Sequence, residues 1–224
     1  MDITTGNVII EGGSFTVNNN CGIFVRSGSE VEISNGSFTA QEMCLLVLDG
    51  GNLTIDGGTF TSIDNAVIGT NGSTGRGGNV ITINGGTFNG GITTAGYVAC
   101  GVYLANADTL TINDGTFIIT GGAGIVARAG HTEINGGSFV CTGTATGKVG
   151  DSRVVVPCNA IVFDEEAAYP GLTDESCIIV NGGSYTTEYE DFYSTVPADP
   201  SIERIILNAT FGSAGGMIDE GDDN

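Results

Sequence analysis

"ITINGGTF" at 81–88 is answered by "LTIDGGTF" at 53–60 and "TEINGGSF" at 132–139. Aligned on the closing aromatic, the copies end at Phe15, Phe38, Phe60, Phe88, Phe117, Phe139, Tyr185 and Phe211. The gaps between them are 23, 22, 28, 29, 22, 46 and 26 residues, a base period near 22 with insertions. The gap of 46 is either one turn with a long excursion or two turns with one motif lost. A repeat of this length means a solenoid, a propeller or an array.

Within each copy the apolar residues alternate. Five before the aromatic stand Ile10, Ile33, Ile55, Ile83, Ile112, Ile134, Val180 and Ile206. Seven before stand Val8, Val31, Leu53, Ile81, Leu110, Thr132, Ile178 and Arg204. The residue between them is often Thr or Glu, so the period is two, as in a strand with one buried face. A Gly-Gly turn follows, where glycine reaches the positive φ that a sharp corner needs. About seven residues after the aromatic comes a second strand, as in Gly22-Ile23-Phe24-Val25 and Gly124-Ile125-Val126-Ala127.

Leucine-rich repeats share the period but need a helical return, and propeller blades need about twice the length. A coil of short strands stacked at the ~4.8 Å strand spacing remains. Each copy then buries its apolar face against the copies above and below. The expectation is an all-β, right-handed parallel β-helix of about eight rungs, roughly 38 Å tall. It forms one domain over 1–224, with a long loop near 141–176 and an irregular region at 188–224.

The I-x-[ND]-G-G-[ST]-F pattern resembles right-handed β-helix repeats of the pectin-lyase-like superfold, over residues 7–187 and more loosely after 188. Such repeats are frequent in secreted and surface proteins of bacteria, so the resemblance implies an extracellular or cell-surface location. That superfold hosts lyases, hydrolases, adhesins and phage tailspikes, so it does not fix a function.

Composition narrows the partners. The formal net charge is −20, from 6 basic and 26 acidic residues. Nucleic acid and anionic membrane surfaces are poor partners for such a chain. No apolar run approaches the ~20 residues of a membrane helix. "MDITTGNVII" at 1–10 lacks the basic start and apolar stretch of a signal peptide. The repeats begin almost at once, which suggests a piece of a longer parent.

Enzymes of the superfold set expectations that this chain meets poorly. Its hydrolases combine clustered Asp with Gly-His-Gly and Arg-x-Lys; its lyases place an Arg or Lys beside calcium-binding Asp. Here His131 is the one histidine, Lys148 the one lysine, and neither motif occurs. Carboxylates are plentiful, as a glycosidase requires in pairs, but no basic group converges with them in sequence. A non-catalytic module for adhesion or glycan binding is expected, with a polysaccharide lyase or hydrolase and a structural spacer as rivals.

Two columns on the second strand are candidate sites. Phe24, Val47, Gly69, Tyr103, Val126 and Val162 should point outward, yet most are apolar. An apolar stripe on a monomer surface marks an interaction or lies under a cover. Three readings stand open: a loop of this chain (141–158 or 188–203), a second copy in a homo-oligomer, or a glycan or other cell-surface ligand stacked on Phe24 and Tyr103. The adjacent column holds Arg26, Asp49, Asn71, Ala105, Arg128 and Asp164. Arg26 should lie by Asp49 and Arg128 near Asp164, as surface ion pairs or as a polar ligand clamp.

Ser14 and Thr16, Ser37 and Thr39, Thr59 and Thr61 form outward pairs of the kind that ice-binding β-helices stack, but the pattern fails at Asn89, Ile118 and Val140. Thr is also a good strand residue. In the acidic loop 164–176, Asp164, Glu165, Glu166, Asp174 and Glu175 could hold Ca²⁺ through oxygen ligands. No established calcium-loop spacing is present, and a solvated charge run explains the acids as well. The six cysteines include no C-x-x-C. Cys21, Cys44 and Cys100 should share a small-residue column with Ala66 and Ala123, while two of Cys141, Cys158 and Cys177 could bond to each other.

Overall fold

The computed structural model describes residues 1–70, 76–90, 100–143, 158–165, 168, 176–196, 204–212 and the strand Ala214–Gly216. The chain coils into a right-handed parallel β-helix with three parallel sheets of nine, eight and seven strands. Sheet A runs from Asp2–Ile3 and Ile23–Val25 through Phe192–Ser194 to Ala214–Gly216. Sheet B runs from Gly6–Ile10 to Ile205–Leu207, and sheet C from Ser14–Val17 to Ser184–Thr187. One turn passes from sheet B around the Gly-Gly corner to sheet C, then to sheet A. The gap of 46 is a single turn, because Ser138–Thr142 pairs directly with Ser184–Thr187.

The aromatic column explains the repeat. Phe15, Phe38, Phe60, Phe88, Phe117 and Phe139 stack with centroids 4.7–5.2 Å apart, and Tyr185 follows at 5.4 Å. These rings sit at the strand spacing because each is in register with its neighbour. The Leu, Ile and Val of sheet B stack beside them, as in Leu53–Ile81–Leu110 and Ile55–Ile83–Ile112.

The motif's Asn or Asp forms a ladder of its own on the outside. Asn84 donates to Asp56, Asn113 to Asn84, Asn135 to Asn113, Asn181 to Asn135 and Asn208 to Asn181, at 2.7–3.1 Å. Each amide has both a donor and an acceptor, so it can bond above and below at once. The second glycine after it takes positive φ, as at Gly58 (107°) and Gly86 (110°). A side chain at Gly58 would also meet the Gly36 carbonyl at 3.1 Å.

The last copy shows where counting by sequence slips. Ile205 and Leu207 pair with Ile178 and Val180, so they occupy the sheet B positions that counting back from Phe211 gives to Arg204 and Ile206. "NATF" at 208–211 is one residue shorter between Asn and aromatic than "NGGSY" at 181–185. The strands Phe192–Ser194, Ile205–Leu207 and Ala214–Gly216 extend the sheets beyond residue 188.

Candidate functional site

The outward column of sheet A is Phe24, Leu46, Gly69, Tyr103, Val126, Val162 and Tyr193. Val47 is not in it. Val47 pairs with Val25 and Thr70 and is buried inside the coil. The path from Phe38 to Leu45 is one residue shorter than that from Phe15 to Ile23, which shifts that copy by one. Such a shift turns an outward residue inward.

The stripe is closed at its centre. Tyr103, Val126 and Val162 are 3%, 1% and 1% exposed. They form a second apolar cluster outside the coil with Cys21, Met43, Ala66, Cys100 and Ala123, while Phe24, Leu46 and Tyr193 stay half-buried at its edges. Met43 explains Gly69: its Sδ fills the space where a side chain at Gly69 would stand. Tyr103 therefore offers no open ring for a ligand. Its hydroxyl accepts from Arg128 Nη1 at 2.6 Å, with the guanidinium 6.0 Å from the ring centroid. Of the segments named as covers, 144–157 and 197–203 lie outside the described residues.

In the polar column Arg26 lies between two carboxylates. Arg26 Nε donates to Asp2 at 2.7 Å, its Nη1 lies 4.0 Å from Asp49, and its guanidinium sits 5.3 Å from the Phe24 ring. Asp2 is a partner that the repeat pattern does not mark, because its two-residue strand precedes the first full copy. Arg76 also approaches Asp49, at 3.5 Å. The column position in that rung belongs to Leu48, whose N–H bonds the Val25 carbonyl, so Asp49 stands one residue beyond it. Arg128 and Asp164 occupy consecutive rungs, both buried. Asp164 accepts from the Thr195 hydroxyl at 3.1 Å.

Of the carboxylates considered for calcium, Glu166, Asp174 and Glu175 lie outside the described residues. Glu165 is held by Arg204 and by the Ser176 hydroxyl. Among the described residues, no three His, Cys, Asp or Glu side chains gather as metal ligands do.

All six cysteines are free thiols. Cys141 and Cys158 pack together with Ile119 without bonding to each other. Cys44 stands one position past the column of Cys21 and Cys100, and Met43 takes its place, by the same one-residue shift. Burial pushes the Cys21 thiol up to about 11 and those of Cys44 and Cys141 to about 12. Cys177 differs: it is half-exposed and its Sγ lies 2.7 Å from His131 Nδ1. The two are paired across adjacent strands of sheet B though 46 residues apart in sequence. Once the gap of 46 is taken as a single turn, the repeat register itself places them side by side.

The outer face of sheet C stands apart by its chemistry. Its seven strands, SFTV, SFTA, TFTS, TFNG, TFIIT, SFVCT and SYTT, contain no charged residue. Ser14, Ser37, Thr59, Thr87, Thr116, Ser138 and Ser184 form an unbroken hydroxyl column in register. Beside it run Thr16, Thr39, Thr61, Asn89, Ile118, Val140 and Thr186. The face is about 29 Å long at the strand spacing.

No family model matches the chain, and no curated protein or solved structure matches it.

Proposed function

We propose that the chain is a non-catalytic binding module, a pectin-lyase-like β-helix displayed by a bacterial surface or secreted protein, which adheres to neutral glycan. The observation that carries this reading is the uncharged hydroxyl face of sheet C in a chain of net charge −20. Acidic sugars are repelled by such a chain, whereas a neutral polyhydroxyl ligand finds donors and acceptors repeating along a rigid surface. The rigidity lowers the ordering cost of binding, since the groups are fixed by the register of the coil. The sheet A stripe supports the reading less, because its centre is buried.

The basic groups that an acidic-polysaccharide enzyme would use also bear on the choice. Arg26 is engaged with Asp2 and Asp49, and Arg204 with Glu165. Both cations are tied to the protein's own carboxylates.

The test is co-sedimentation with insoluble neutral polysaccharides, together with a glycan array. The comparison variant is Thr59→Glu with Thr87→Glu, which places two charges on the hydroxyl column, and Phe24→Ala serves as the sheet A control. Binding lost in the sheet C variant and kept in Phe24→Ala supports the reading. Absence of binding to every neutral glycan, or equal binding by the sheet C variant, refutes it.

A further inference from the structure

Cys177 and His131 form the one thiol–imidazole pair in the chain, and the glycan-binding reading makes no use of it. Both are the first residues of their strands and point outward from sheet B, where the pattern alternates half-buried with buried. The other five thiols are at most 9% exposed. A thiol within hydrogen-bond reach of a base is the arrangement that activates a sulfur nucleophile. Metal binding fits less well, because a zinc site takes at least three protein ligands and no third candidate joins the pair among the described residues.

We propose that Cys177 is a thiol–disulfide exchange site, with His131 as its base and small organic disulfides as the ligand class. Desolvation raises the Cys177 thiol above its ordinary value, so the thiolate does not stand ready and a base is required. In the exchange, His131 Nδ1 takes the Sγ proton as Sγ attacks one sulfur of the disulfide. The disulfide's S–S bond breaks and a new Sγ–S bond forms. The leaving sulfur departs with the bonding electron pair and takes a proton, so one organic disulfide is reduced to a thiol as Cys177 becomes a mixed disulfide. The outcome is a single covalent adduct on the outside of the coil, leaving the interior columns untouched.

The test uses the full chain with dipyridyl disulfide, followed by thiopyridone absorbance and intact mass. One thiol per folded chain should react in a fast phase, and peptide mapping should place the adduct on Cys177. Cys177→Ser should abolish that phase. His131→Ala should slow it about a hundredfold, the lower end of the range for a general base, and added imidazole should restore it. His131→Gln, which keeps a polar side chain of similar reach, should be equally slow if the fold is retained by circular dichroism. Two or more thiols reacting at similar rates, an adduct elsewhere, or an unchanged rate in both His131 variants with no imidazole rescue would overturn the proposal.

Discussion

Thr132 should weaken the protein, and removing its hydroxyl should strengthen it. The residue sits fully buried in the sheet B interior, stacked between Leu110 and Ile178. Its Oγ1 has no hydrogen-bond partner. Other copies carry Val, Leu or Ile at this position, so Thr132 places a desolvated polar atom in an otherwise apolar column. An unpartnered buried hydroxyl costs about 1–3 kcal/mol by protein mutational data. Thr132→Val keeps the branched shape and removes that cost. For a chain of this size each kcal/mol moves Tm by roughly 2–4 °C, so a rise of about 2–12 °C follows. Thr132→Ser separates hydroxyl from shape, since it keeps the oxygen, loses the methyl, and should melt below the parent. Thermal melts of the three proteins decide the matter. A Thr132→Val protein that melts at or below the parent would mean that the hydroxyl is satisfied after all, and the reasoning fails.

Two other outcomes follow from the same coil. Phe88→Ala removes a ring stacked at 5.2 Å on Phe60 and 4.7 Å on Phe117, and should lower stability by about 3–5 kcal/mol in urea denaturation; a loss below about 1 kcal/mol would show that the column collapses around the gap. Asp108 is buried, and burial raises its carboxyl above the ordinary value despite hydrogen bonds from Thr70 and Asn79. A carboxyl whose folded pKa lies above its unfolded one holds its proton longer in the folded chain. Stability is then lost as pH rises from the unfolded value through the folded one. Asp108→Asn, which keeps an acceptor for Asn79, should be more stable than the parent at neutral pH, with the gap in urea midpoint widening upward from about pH 4. A gap independent of pH would contradict this.

The sequence by itself determined the coil. The spacing of Phe15 through Tyr185, the period-two Ile and Leu, and the glycine corners leave few ways to bury apolar side chains except by stacking copies. That information is local and repeated, so each rung confirms the next. The columns were legible only where copies have equal lengths. Val47, Cys44, Asp49 and Ile206 were displaced by one position because a turn in their copies is one residue shorter, and sequence spacing does not record where a turn absorbs the difference.

What only the tertiary structure decided is which surfaces are open and which distant residues meet. Apolar residues at outward positions look alike in sequence whether covered or bare; burial of Tyr103, Val126 and Val162 turns a supposed platform into a second core. Cys177 meets His131 because Cys177–Val180 pairs directly with His131–Ile134, a fact set by strand pairing and not by distance along the chain. The uncharged face of sheet C was written in seven short strands from the start, but only their stacking makes it one surface.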